Sequence, residues 1–112
     1  MRASILIPAF NAAKTLEATL ESCVQQGEDV VEEIIVVDDH SSDNTTDVFQ
    51  QVALKHPNFQ WRSATNPGNG ACSARNHALR ISKGTFLQWL DADDILGTET
   101  VSYTHLTLPT NA

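Results

Sequence analysis

The feature that most constrains the fold is a regular alternation of short apolar runs with longer segments of helical periodicity. The apolar runs cover residues 3–10, 32–37, 58–64 and 85–90, and the helical segments cover 11–27, 43–57 and 71–84. This order of strand, helix, strand, helix, strand, helix and strand predicts crossover units and a mostly parallel sheet with helices on both faces. The sequence therefore predicts a Rossmann-like α/β fold.

The boundaries and strand order can also be predicted. The first strand is expected to end near Ile7, before Pro8. Asn11 is expected to cap the first helix, and Gly27 to end it. Right-handed crossovers favour a sheet with the first strand inside, the second and third on one side and the fourth on the other. The first and fourth strands would then flank a switch point, outside which such sheets bind ligands.

Acidic residues gather after the predicted strand ends. The second strand runs into "DDHSSD" and the fourth into "DADD", whereas the first is followed by "PAFN". The side chains expected to meet at one rim of the sheet are Asp38, Asp39, Asp91, Asp93 and Asp94. Like charges disfavour one another's ionisation, so a divalent cation or the hydrogen-bond donors of a ligand should offset them.

Composition excludes several classes of function. The formal net charge is −7, with 14 acidic against 7 basic residues, which argues against nucleic acid or an anionic membrane surface as the main partner. The two cysteines, Cys23 and Cys72, have no metal-ligand spacing and make no disulfide framework. No apolar stretch approaches the roughly 20 residues of a membrane span. We expect a cytoplasmic protein, and peripheral attachment at the inner face of the plasma membrane stays open.

The turn after the first strand narrows the choice of ligand. It reads "PAFNAAK" and lacks the glycines with which dinucleotide-binding turns and P-loops hold phosphates. A nucleotide diphosphate would therefore need another partner, such as Mg²⁺ or Mn²⁺ bound by Asp91 and Asp93. Arg75 has helical spacing with the apolar residues of its helix, which predicts a buried guanidinium paired with the acidic rim or a diphosphate. A side chain that reaches solvent is the alternative.

Three segments together carry a family resemblance. "ILIPAFNAAKTLEATLESCVQQ", "EEIIVVDDHSSDNT" and "ACSARNHALRISKGTFLQWLDADD" resemble the N-terminal, nucleotide-binding half of an inverting family 2 glycosyltransferase of the GT-A fold. The resemblance covers roughly residues 1–100 in register. His40 departs from the more usual glycine after the aspartates.

The resemblance implies a role for each matching residue. The expected substrate-binding residues are Pro8, Ala9, Phe10, Asp38, Asp39, Arg75 and Asp91, and the expected metal ligands are Asp91 and Asp93. In the family, the aspartates after the second strand contact the base, and the later pair positions the ribose and holds the metal on the diphosphate. Because consecutive strand residues point to opposite faces, we assign the base to Asp39 and the following loop to Asp38.

The implied activity is transfer of a sugar from a nucleotide-diphosphate donor, with UDP-sugar favoured, to an acceptor hydroxyl with inversion. The family's general base and acceptor site would lie in a C-terminal part beyond residues 1–100, so we expect the chain alone to be inactive. Residues 101–112, "VSYTHLTLPTNA", follow neither period and are interpreted as a non-native tail. An inert truncated nucleotide-binding fragment and a pyrophosphorylase-like nucleotidyltransferase remain alternatives, although the latter would favour a glycine-rich first turn.

Overall fold

The computed structural model describes residues 2–83 and 86–93, and these form one parallel sheet with helices on both faces. The strands are β1 (Ala3–Ala9), β2 (Val31–Asp38), β3 (Trp61–Thr65) and β4 (Phe86–Trp89). The helices are α1 (Leu16–Val24), α2 (Thr45–Lys55) and α3 (Ala71–Ile81). All strand pairs are parallel and the order is β3-β2-β1-β4, so the predicted arrangement is confirmed. None of the helices in the described ranges is long and apolar enough to cross a bilayer.

The alternation of side chains along the central strands builds two separate cores. Ile5 and Ile7 of β1 pack with Ile34 of β2 on the face covered by α1 and α2. The intervening Leu6 and Ile35 lie on the opposite face, which α3 covers. Because both faces of β1 and β2 are buried, their sequences read as continuous apolar runs rather than as alternating ones.

The first strand extends further than predicted, because Pro8 lies inside it and Ala9 ends it. The carbonyls of Arg2 and Leu6 accept hydrogen bonds from the amides of Phe86 and Leu90, so alternate residues of β1 face β4. By the same alternation, the backbone of Pro8 also faces the β4 side. The last residue of β1 that pairs with β4 is Leu6, opposite Trp89, so Pro8 lies beyond the end of that ladder. Its missing N–H therefore removes no bond from the ladder, which is why proline is tolerated here.

The predicted start of the first helix is wrong. Asn11 has a φ of 48° and lies outside the helix, which begins at Leu16 with Thr15 as its N-cap. The intervening turn is held by the loop after β2: the amide of Asn11 donates to Ser41, and its Oδ1 accepts from the amide of Ser42. Asn11 lies four residues before the N-cap position, so it does not cap α1.

The predicted C-terminal ends of the first and third helices lie beyond the observed ends. The first helix ends at Val24, and Gly27 follows in the left-handed conformation with its amide donating to the carbonyl of Val24. Gly27 therefore closes the turn after the helix, a conformation that suits glycine. The third helix ends at Ile81, because Ser82 is already extended with a ψ of 150°.

Candidate functional site

Two pockets open at the carboxyl ends of the strands and meet at Pro8 and Phe10. The first, called the Asp39 pocket, has a volume of about 130 Å³ and is lined by Pro8, Ala9, Phe10, Asp39, Ala71, Ala74, Arg75 and Asp91. The second, called the Asp93 pocket, has a volume of about 360 Å³ and adds Asn11, Ala12, Thr15, Ala92 and Asp93 to the shared pair. Both lie where a parallel α/β sheet offers its ligand site.

The structure brings together most of the residues singled out in the sequence. Six of the seven expected substrate-binding residues line the Asp39 pocket, namely Pro8, Ala9, Phe10, Asp39, Arg75 and Asp91. Asp93 lines the adjoining pocket, and Asp38 lines neither. Asp94 and the segment 101–112 lie outside the described residues. The ligand roles of these side chains remain predictions.

Asp38 is turned into the loop that follows its own strand. Its side chain is buried, and one carboxylate oxygen accepts a hydrogen bond from the hydroxyl of Ser41 while the other accepts from the Ser41 amide at 3.1 Å. The same hydroxyl oxygen accepts from the amide of Asn11 at 2.8 Å. Asp38 therefore holds the loop after β2 and, through it, the turn that carries Phe10.

Asp39 faces the other way, toward the start of α3. Its Oδ1 accepts from the side-chain amide of Asn66 at 2.9 Å, and the amide of Gly70 lies 3.2 and 3.1 Å from its two oxygens. Gly70 is the N-cap of α3, where a negative charge is stabilised by the helix dipole. The two adjacent aspartates thus avoid mutual repulsion by pointing to different sets of donors.

Asn66 organises this region, and the sequence analysis missed it. It is 1% exposed, its Oδ1 accepts from the amide of Gly68 and the hydroxyl of Ser73, and its Nδ2 donates to Asp39 and to the carbonyl of Gly70. The first asparagine of "NPGNG" is a turn signal, because an asparagine side chain commonly forms a hydrogen bond with the backbone of the residue two positions later. That signal predicts the contact with Gly68 and says nothing about the contact with Asp39.

Arg75 is exposed, so the prediction of a buried guanidinium is wrong. The buried face of α3 is formed by Ala74 and Ala78, and Arg75 lies beside that face at the Asp39 pocket. Within the part of the chain that the structure describes, no hydrogen bond or ion pair of its guanidinium is found. Arg75 can therefore keep solvent contact while its positive charge stands in the same pocket as Asp39 and Asp91.

The aspartates after β4 alternate with residues that are anchored in the core. Leu90 and Ala92 are 7% and 8% exposed and belong to the core on the α1 side, whereas Asp91 and Asp93 are exposed. Asp91 lines the Asp39 pocket and Asp93 lines the Asp93 pocket, and the two pockets share Pro8 and Phe10.

The described residues contain no cluster of three or more metal-ligating side chains that could hold an ion alone. Asp91 and Asp93 offer two exposed carboxylates. That set suits Mg²⁺ or Mn²⁺, which is commonly bound by one or two carboxylates together with substrate phosphates and water. The described residues therefore fit an ion that arrives with a diphosphate, and those residues do not fit a cage made by protein ligands only.

Residues 4–103 match the sequence model of the family described as "Glycosyl transferase family 2". The chain is 36% identical over 102 residues to a poly(ribitol-phosphate) beta-glucosyltransferase of Bacillus spizizenii, an alignment that covers 88% of this chain and 16% of that protein. The chain therefore spans only a small part of the length of this relative.

Solved structures show the same fold. TarS of S. aureus in complex with UDP superposes with a TM-score of 0.74 at 30% identity, covering 91% of this chain and 30% of that one. The mannosyltransferase PcManGT of Pyrobaculum calidifontis, in complex with GDP-Man and Mn²⁺, gives a TM-score of 0.82 at 28% identity, covering 90% and 30%. The predicted α/β fold of the GT-A type is confirmed.

Proposed function

Because the chain belongs to glycosyl transferase family 2, we propose that residues 1–100 form the donor-binding half of an enzyme that transfers a sugar from a nucleotide diphosphate to an acceptor hydroxyl with inversion. One observation carries the proposal: eight residues, from α3 and from the ends of β1, β2 and β4 or just beyond them, line the single Asp39 pocket. The complexes of similar structures with UDP and with GDP-Man support a nucleotide sugar as the donor.

The base of the nucleotide would lie in the Asp39 pocket. Asp39 would accept a hydrogen bond from the base, and a charged acceptor binds an N–H more strongly than a neutral one does. The imide N–H of uracil offers such a donor, so we expect a UDP-sugar. Pro8, Ala9 and Phe10 would wall the base, and Phe10 is 62% exposed, which leaves its ring free to contact a ligand.

The diphosphate would lie between Arg75 and the two aspartates after β4. Arg75 supplies a positive charge and a planar set of donors that suit phosphate oxygens. Asp91 and Asp93 would hold Mn²⁺ or Mg²⁺ on the phosphate oxygens, and Asp91 would also position the ribose. When bound, the ion stabilises the negative charge of the departing diphosphate as a Lewis acid. We assign the general base to none of the described residues.

Titration calorimetry with the purified chain tests this proposal. UDP should bind in the presence of Mn²⁺ and bind more weakly in EDTA, whereas uridine, which lacks phosphates, should not respond to the metal. Equal UDP affinity in both buffers would remove the metal from the proposal. Failure of UDP, GDP and ADP to bind in either buffer would overturn the nucleotide site itself.

A further inference from the structure

The carbonyl oxygen of Ala92, between the two aspartates after β4, is held by two hydroxyl groups of the first helix region. The Oγ1 of Thr15 lies 3.0 Å from this oxygen, and the Oγ1 of Thr19 lies 2.9 Å from it. Thr15 is the N-cap of α1, and Thr19 lies one turn later, fully buried. Residues separated by four positions share a helix face, so both hydroxyls can reach one acceptor.

Each hydroxyl has one proton and must choose between two acceptors. Thr15 Oγ1 lies 3.4 Å from the carbonyl of Ala12, and Thr19 Oγ1 lies 3.2 Å from the carbonyl of Thr15. In both cases the Ala92 oxygen is the nearer acceptor and is closer to the usual length of about 2.7–2.8 Å for such bonds. A carbonyl has two lone pairs, so Ala92 can accept both donors.

These two bonds complete the attachment of the acidic turn to the rest of the fold. The amide of Leu90 donates to the carbonyl of Leu6 at 3.0 Å, which ties the start of the turn to β1. The side chains of Leu90 and Ala92 are buried in the core, and the Ala92 carbonyl is tied to α1. The peptide that joins Ala92 to Asp93 is therefore held on one side by the core and on the other by two hydroxyls.

We propose that Thr15 and Thr19 are positioning residues for the acidic pair, and that they set the orientation in which Asp91 and Asp93 meet a metal-bound diphosphate. This inference rests on the proposed function. Thr19 cannot touch a ligand because it is fully buried, so it acts through Ala92 alone. Thr15 also lines the Asp93 pocket. Because its side chain is exposed, Thr15→Val should disturb folding less than Thr19→Val does.

The experiment compares the affinity of the purified chain for UDP in Mn²⁺ and in EDTA. Thr19→Val removes the hydroxyl at nearly constant shape, and Thr19→Ser keeps it. Thr46→Val is the matched control, because Thr46 is an exposed helical threonine in α2 and lines neither pocket. Loss of one hydrogen bond should lower the UDP affinity in Mn²⁺ about threefold to tenfold. The affinity in EDTA should fall less, because without the metal only the contact of Asp91 with the ribose remains.

Support would consist of a selective loss in Thr19→Val and Thr15→Val, with Thr19→Ser and Thr46→Val behaving as wild type. Two results would overturn the inference: a double Thr15→Val, Thr19→Val variant that keeps its metal-dependent affinity, or a parallel fall of both affinities with the melting temperature, which would indicate a purely structural role. If the wild-type chain binds UDP equally well in Mn²⁺ and in EDTA, the proposed metal site is overturned, and this inference with it.

Discussion

Replacing Asp39 by asparagine should separate recognition of the base from stability. The Asp39 carboxylate accepts from Asn66 and Gly70 and still has acceptor capacity toward its pocket, because a carboxylate offers about four lone-pair sites. An asparagine has one acceptor oxygen and one NH₂ group. If that oxygen stays on Gly70 and Asn66, the NH₂ group meets the N–H of the base; if the amide flips, it meets the N–H of Gly70.

The expected loss of UDP affinity in Asp39→Asn follows from the negative charge of the acceptor that is removed. A hydrogen bond to a charged group is worth about 1.5–3 kcal/mol, so Asp39→Asn should weaken UDP binding roughly tenfold to hundredfold. The negative charge at the start of α3 is worth about 0.3–1 kcal/mol, which corresponds to a fall in melting temperature of at most several degrees for a chain of this size. Calorimetry with UDP in Mn²⁺ and thermal unfolding followed by circular dichroism measure the two effects.

Asp38→Asn is the matched control, because it makes the same chemical change at the adjacent position. It removes one of the two contacts with Ser41 and lies outside both pockets, so it should lower the melting temperature while UDP affinity stays within about twofold of wild type. The assignment of roles is refuted if Asp38→Asn abolishes UDP binding and Asp39→Asn leaves it unchanged.

Three further predictions concern the metal, acid stability and thiol reactivity. Asp93→Ala should remove the Mn²⁺-dependent part of UDP affinity and leave the affinity in EDTA unchanged, as calorimetry would show; a full metal effect in this variant would argue against Asp93 as a ligand. The hydroxyl of Thr45 holds the pKa of Asp43 below its usual value, so the ionised carboxylate stabilises the fold above about pH 5 and this contribution is lost as the pH falls through the lowered pKa. Asp43→Asn should therefore melt below wild type at pH 7 and approach it near pH 3, and a constant difference across that range would contradict the assignment. Burial raises the pKa of the Cys23 thiol to about 12, whereas Cys72 is exposed, so iodoacetamide at pH 8 should label Cys72 and spare Cys23 until the chain unfolds, with mass spectrometry of the labelled peptides as the readout.

Much of the architecture could be predicted from the sequence because it depends on local periodicity and on chain connectivity. The apolar runs identify β1 and β2 as strands covered on both faces, and right-handed parallel crossovers then leave few possible strand orders. Once the order is set, the carboxyl ends of β1, β2 and β4 must share one rim. The meeting of Asp39 and Asp91 near Phe10 follows from topology, with no knowledge of any side-chain contact.

Only the tertiary structure decided how the side chains at that rim are held. Asn11 resembles a helix cap in sequence, yet its backbone is set by contacts with Ser41 and Ser42, about thirty residues away. The exposure of Arg75 depends on the rotation of α3 about its axis, which buries Ala74 and Ala78 instead. The bond from Thr19 to the carbonyl of Ala92 joins residues that are 73 positions apart. Local patterns carry no information on such contacts, because an isolated threonine or asparagine has the same propensities whether or not a distant carbonyl is brought to it by the fold.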